Sequence, residues 1–164
     1  MVNKKKYFRK KLDGVESMIF DLEFKRFKTK EIREEVRVEY DNQKSKRAVI
    51  ETQIRSQKKD PDKVCPVHNP ATGEEKKHKD HATCVCEFID NRTIEVGEYE
   101  RLYDKRDIID RDVARFLEQI KQLDLEVNGS RPTAEYQDGV QGITQQLDAL
   151  HELKGMIKSY VKQL

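Results

Sequence analysis

The chain has 164 residues, of which 39% are charged and 35% apolar, with no Trp and a net charge of only +2. That is too little apolar material for a thick globular core but enough for narrow helix seams, so an elongated, mostly α protein is expected. No apolar run approaches the ~20 residues that cross a bilayer, and no hydrophobic signal core follows the N-terminal lysines, which points to a soluble, cytoplasmic protein.

The charge is unevenly spread. Residues 1–59 carry 18 Lys/Arg against 10 Asp/Glu, whereas residues 60–96 carry 5 against 8 and residues 97–164 carry 10 against 13. A basic first third suits an anionic partner. The alternative is that the basic helix packs against its acidic neighbours within the molecule.

Residues 1–13 read as a basic N-terminal tail. Lys4, Lys5, Lys6, Arg9, Lys10 and Lys11 surround Tyr7 and Phe8. The cations are candidates for phosphate neutralisation and the rings for base stacking or wedging into a groove. Residues 14–59 form the first helical segment. Val15, Ile19, Leu22, Arg26, Thr29, Arg33, Val36, Tyr40, Gln43, Arg47, Ile50 and Ile54 keep an alternating three-four spacing, the signature of coiled-coil packing. Five of the twelve are polar, and a break near 28–30 or 41–45 is left open. Phe20, Phe24 and Phe27 add a second apolar row, which must be covered by a third helix or another subunit.

Asp60-Pro61 ends this helix, and residues 60–97 read as a zinc-binding insert. Six of the chain's seven cysteines and histidines lie there: Cys65, His68, His78, His81, Cys84 and Cys86. Cys65-x2-His68 lets one tight turn present two ligands, and the run from His81 to Cys86 supplies the second pair. Softness favours all three thiolates with one imidazole, so the expected structural Zn2+ ligands are Cys65, His68, Cys84 and Cys86. His81 in place of His68 or Cys86 is the alternative set. His78 lies in a polar run and reads as a surface residue. Three cysteines leave one over from any disulfide pairing, which again fits a reducing compartment. Phe88–Val96 reads as a short β-hairpin turning at Asp90-Asn91.

The second helix spans residues 98–128, with Tyr99, Leu102, Arg106, Ile109, Val113, Phe116, Ile120, Leu123 and Val127 on its seam. Asn128-Gly129-Ser130-Arg131-Pro132 is a helix stop, with Gly129 suited to a left-handed C-terminal conformation. The third helix is expected over 132–164, along Tyr136, Val140, Ile143, Leu147, Leu150, Lys154, Ile157, Val161 and Leu164. So short a connection implies that helices two and three are antiparallel neighbours, closing either a coiled-coil hairpin or a three-helix bundle. His151 flanks this seam and is not expected to bind metal.

A thiolate-rich, closed zinc site is structural rather than catalytic, and the chain carries no His-Glu-x-x-His, deaminase or phosphate-loop motif. No enzyme is expected. The preferred function is a small zinc-stabilised helical adaptor or regulator that binds DNA, other nucleic acid or a nucleic-acid machine. The alternative is a structural coiled-coil oligomerisation scaffold with a zinc-stiffened tip. A zinc element at a coiled-coil reversal resembles the general arrangement of the zinc hook of DNA-repair coiled coils. That hook's symmetric Cys-x-x-Cys is missing here, so no residue role is carried over. Homo-oligomerisation through the helix seams is a further expectation, and no membrane partner is.

Overall fold

The computed structural model describes residues 3–57 and 96–164, and these are mostly helical. Three α-helices follow in order: α1 (Lys4–Gln57), α2 (Val96–Asn128) and α3 (Ile143–Gln163). Among the described residues the only β feature is an isolated bridge between Ser130 and Val140. The insert and its hairpin lie outside the described residues.

α1 is 54 residues long and contains no proline. It begins at Lys4 because Asn3 caps it: the Asn3 Oδ1 accepts the Lys6 N–H at 3.2 Å, and its carbonyl accepts that of Tyr7 at 3.0 Å. The basic run at 4–11 is therefore the first two turns of a helix rather than a tail. No break occurs at 28–30 or 41–45. Thr29 is buried and donates its hydroxyl to the Lys25 carbonyl at 2.9 Å, and Ser45 does the same to Asp41 at 3.1 Å. Each polar group is satisfied inside the helix, so neither site needs to open.

The chain divides into two compact units, one of residues Met1–Glu39 with Phe116–Leu164 and one of Tyr40–Arg115. In the first unit, α1 and α2 are antiparallel. Arg33 pairs with Asp124, whereas Lys25, earlier in α1, pairs with Glu126, later in α2. α3 is also antiparallel to α1: Glu23 faces His151, Glu16 faces Lys154 and Lys158, and Phe8 faces Tyr160. α2 and α3 therefore follow one another along the same α1 seam and run in the same direction. This corrects the expectation of an antiparallel α2–α3 pair. Its core is Val15 and Ile19 against Ile143 and Leu147, extended by Leu22, Leu150 and Ile157.

The connection explains the difference. Residues 129–142 leave the helix and return to the same point. Gly129, at φ +64°, closes α2 by donating its N–H to the Leu125 carbonyl at 2.8 Å. Ser130 and Val140 then exchange backbone hydrogen bonds of 2.8 and 3.0 Å. At the neck, Gln145 Oε1 accepts the Gly142 N–H at 2.9 Å while its Nε2 donates to the Asn128 carbonyl. A Cβ on Gly142 would sit 2.3 Å from the backbone nitrogen of Gly129, so only glycine lets the two ends touch. The third helix consequently starts at Ile143, not at 132, and Tyr136 and Val140 are half-buried loop residues.

In the second unit, Ile54 and Tyr99 are sealed, at 0% and 1% exposure. The Tyr99 and Tyr103 rings meet edge to face at 5.2 Å with their hydroxyls 2.7 Å apart. The helices are again antiparallel, with Arg47 on Asp110 and Glu51 on Arg106.

Candidate nucleic-acid interface and the polar seam

The six N-terminal cations, Lys4, Lys5, Lys6, Arg9, Lys10 and Lys11, are all exposed on the opening turns of α1. No acidic residue stands in the first turn. The two aromatic residues differ. Tyr7 is half-exposed, with Lys11 Nζ 5.5 Å from its ring centre. Phe8 instead packs edge-on against Tyr160 at 4.8 Å, on the seam side of α1. Its ring belongs to the α1–α3 contact and is not a free stacking platform.

The cations further along α1 are largely occupied within the molecule. Lys25 pairs with Glu126 at 3.2 Å and Lys28 with Glu31 at 2.9 Å. Lys28 also lies over the Phe24 and Phe27 rings, 5.9 and 5.7 Å from their centres. Arg26 is half-buried in the seam. Intramolecular packing thus accounts for part of the basic first third; exposed Lys30, Arg37 and Lys46 lie farther along α1, and residues 4–11 hold the densest run of cations.

The polar seam residues form a set of helix-to-helix ion pairs that spacing alone did not reveal. Arg33 Nε donates to Asp124 Oδ1 at 2.8 Å, and Arg47 Nε to Asp110 Oδ1 at 2.5 Å. Arg106 reaches Glu51 at 3.4 Å and stacks over Tyr103, 4.8 Å from the ring centre. Lys154 pairs with Glu16 at 3.2 Å. The hydrogen bond to Asp124 raises the pKa of Arg33 above its ordinary value, and the one to Asp110 does the same for Arg47. An arginine is charged throughout the neutral range in any case, and these hydrogen bonds favour that state further. A readable signal existed: Asp110 and Asp124 immediately follow the seam residues Ile109 and Leu123, where a flanking side chain can reach across.

Cys65, His68, Cys84 and Cys86, with His78 and His81, lie outside the described residues. Among the described residues no group of three or more His, Cys, Asp or Glu side chains is placed to hold a metal. His151 faces Glu23, Nε2 to Oε1 3.8 Å, with both side chains about half exposed. No described helix is long and apolar enough to cross a membrane.

No protein-family model, curated protein or solved structure matches this chain.

Proposed function

We propose that this protein is a zinc-stabilised helical adaptor, cytoplasmic and non-catalytic, that docks on nucleic acid or on a nucleic-acid machine through the first two turns of α1. One observation carries the reading. Six exposed cations and no acidic residue occupy residues 4–11, at the N-terminal end of a helix. That end carries the positive pole of the helix dipole, where acidic groups stabilise and cations do not. Stability alone does not select this arrangement. An anionic partner offsets both the mutual repulsion of the cations and their conflict with the dipole, and a preformed helix lowers the entropy lost on docking.

Zinc in this reading is held by Cys65, His68, Cys84 and Cys86, with His81 as the alternative ligand. The support is the ligand chemistry and spacing in the sequence, and the task of the metal is to fold a polar segment that has no core of its own. Fluorescence anisotropy with labelled duplex and single-stranded DNA and RNA tests the function. The intact chain should bind saturably near physiological salt. A chain with Lys4, Lys5, Lys6, Arg9, Lys10 and Lys11 all replaced by Ala should not.

The scaffold reading keeps one specific support. Phe20, Phe24 and Phe27 are each more than half exposed, so no part of the described fold covers the second apolar row of α1. Such a row suits a protein partner.

A further inference from the structure

The α1–α3 pair has two flanks. On one, Glu16 and Glu23 of α1 meet Lys154, Lys158 and His151 of α3. At 100° per residue, the helical period places Tyr7, Lys11, Gly14 and Met18 on the opposite flank of the α1 seam. The same period places Ala149, Leu153, Met156 and Tyr160 on that flank of α3. Both rows keep a four-three-four spacing, the pattern of a helix seam. Tyr7, Met18, Leu153, Met156 and Tyr160 are between 42% and 64% exposed. This flank is thus a two-helix layer carrying two half-exposed stripes, apolar except for Lys11 and with the Tyr160 ring also touching Phe8, the form of half a four-helix core.

We propose that this flank is covered by a second copy of the same chain, packed face to face about a two-fold axis that lies in the face and crosses the helices. The occupant is specified by charge. Exposed Lys10 and Lys11 stand at one end of the stripes, level with the Tyr160 end of α3. Exposed Asp21 and Glu152 stand at the other, level with each other because Glu23 faces His151, and Lys25 on the same row is paired with Glu126. A two-fold turn lays the basic end of each copy on the acidic end of its mate, while apolar stripe meets apolar stripe. An isologous interface requires this self-complementarity, and a partner of one sign would match only one end. Near the middle, a Cβ on Gly14 would meet nothing within 4 Å, so the two α1 helices can approach closely where they cross.

The size of the face is consistent with a modest dimer. Sixteen residues of helix span roughly 24 Å. Two helices side by side are about 20 Å wide, which gives on the order of 500 Å² per copy and about 1,000 Å² in total, near the lower bound of a specific interface. The interface uses no metal but shares Lys10 and Lys11 with the nucleic-acid surface proposed above, so its test reads self-association in the absence of nucleic acid, and its failure leaves that function to its own assay.

The test is sedimentation equilibrium of the full chain from about 1 to 200 μM, with and without chelator, together with circular dichroism. The expected result is a reversible monomer–dimer equilibrium in the micromolar range that persists in chelator. Met156→Glu should weaken it at least tenfold with helicity unchanged. Charge reversal supplies the second arm. Lys10→Glu/Lys11→Glu and Asp21→Lys/Glu152→Lys should each dimerise poorly alone, and a mixture of the two should regain wild-type affinity as a heterodimer. A chain monomeric at every concentration, a dimer found only with metal, or a mixture of reversed variants that fails to associate would each overturn the proposal. So would a Met156→Glu variant that dimerises like the wild type.

Discussion

Arg47 Nε lies 2.5 Å from Asp110 Oδ1, joining α1 to α2 through a seam position that an apolar side chain would ordinarily fill. Arg33 with Asp124 repeats the relationship, and Arg106 with Glu51 inverts it, with the cation on α2. These helices are joined by alternating apolar contacts and ion pairs. A polar seam holds less strongly than an apolar one, but it penalises sliding, because a slip of one turn leaves several half-exposed charges without partners.

The first prediction concerns that trade. Arg33→Ala should destabilise the first unit by about 0.5–1 kcal/mol, the scale of a half-exposed pair after solvent screening. Arg33→Leu combined with Asp124→Leu should be neutral or stabilising in urea melts, because apolar burial replaces a partly solvated pair. A double variant much less stable than Arg33→Ala alone would mean that the pair supplies stability rather than register.

Core truncation should discriminate by burial. Ile54→Ala removes a side chain with no exposure and should cost about 2–4 kcal/mol, whereas Val49→Ala, on an exposed face of the same helix, should stay within roughly 0.5 kcal/mol. In the first unit, Leu147→Asp places a charge in the Val15–Ile19–Ile143 cluster and should abolish most of the helicity there. Ile120→Asp, at a half-buried seam position, should do less damage. Urea denaturation followed by circular dichroism ranks the four.

Two glycines should respond to alanine with opposite signs. A Cβ on Gly14 has nothing within 4 Å in the single chain and the residue is mid-helix, so Gly14→Ala should stabilise the monomer by about 0.5–1 kcal/mol at concentrations below those at which chains pair. Gly142→Ala puts a methyl 2.3 Å from the Gly129 nitrogen at the neck of the 129–142 loop and should destabilise. Melting temperatures of the two variants decide it, and a stabilised Gly142→Ala would show that the neck can open without loss.

Zinc content offers a fourth check. One equivalent per chain is expected in elemental analysis, lost in Cys65→Ser and Cys84→Ser. Cys86→Ser should lower affinity in competition with a colorimetric chelator far more than His81→Ala does. Comparable large losses from both would favour the ligand set in which His81 replaces His68.

The seams were legible in the sequence because burial follows helical period. All twelve positions of the α1 stripe and all nine of the α2 stripe are buried or half-buried. Three features were not legible. The helical start at Lys4 rests on one capping residue, Asn3, which the lysine run overshadowed. The start of α3 was misplaced because Tyr136 and Val140 fall on the helical period by coincidence, while Gly129 and Gly142 close a loop through backbone contacts that leave no periodic trace. The direction of α3 followed from that error, since a short link reverses the chain and a closed loop does not. The pairing of the seam charges depends on which residue faces which across the helices: the flanking positions of Asp110 and Asp124 mark them as candidates, but spacing within one helix does not say which arginine each meets. The candidate metal ligands Cys65, His68, Cys84 and Cys86 lie outside the described residues, and their assignment rests on the sequence.

If the opening turns of α1 are the anion-binding surface proposed above, nucleic-acid affinity should depend steeply on salt. Each neutralised phosphate releases counterions, so log K should fall linearly with log salt, with a slope near −0.9 per phosphate contacted on a duplex. If four to six of the six cations engage, the slope should lie at roughly −4 to −5, and replacing Lys4, Lys5 and Lys6 with Ala should make it shallower by about 2–3 with helicity unchanged. No saturable binding by the intact chain near physiological salt, or a slope unchanged by the triple replacement, would contradict the account.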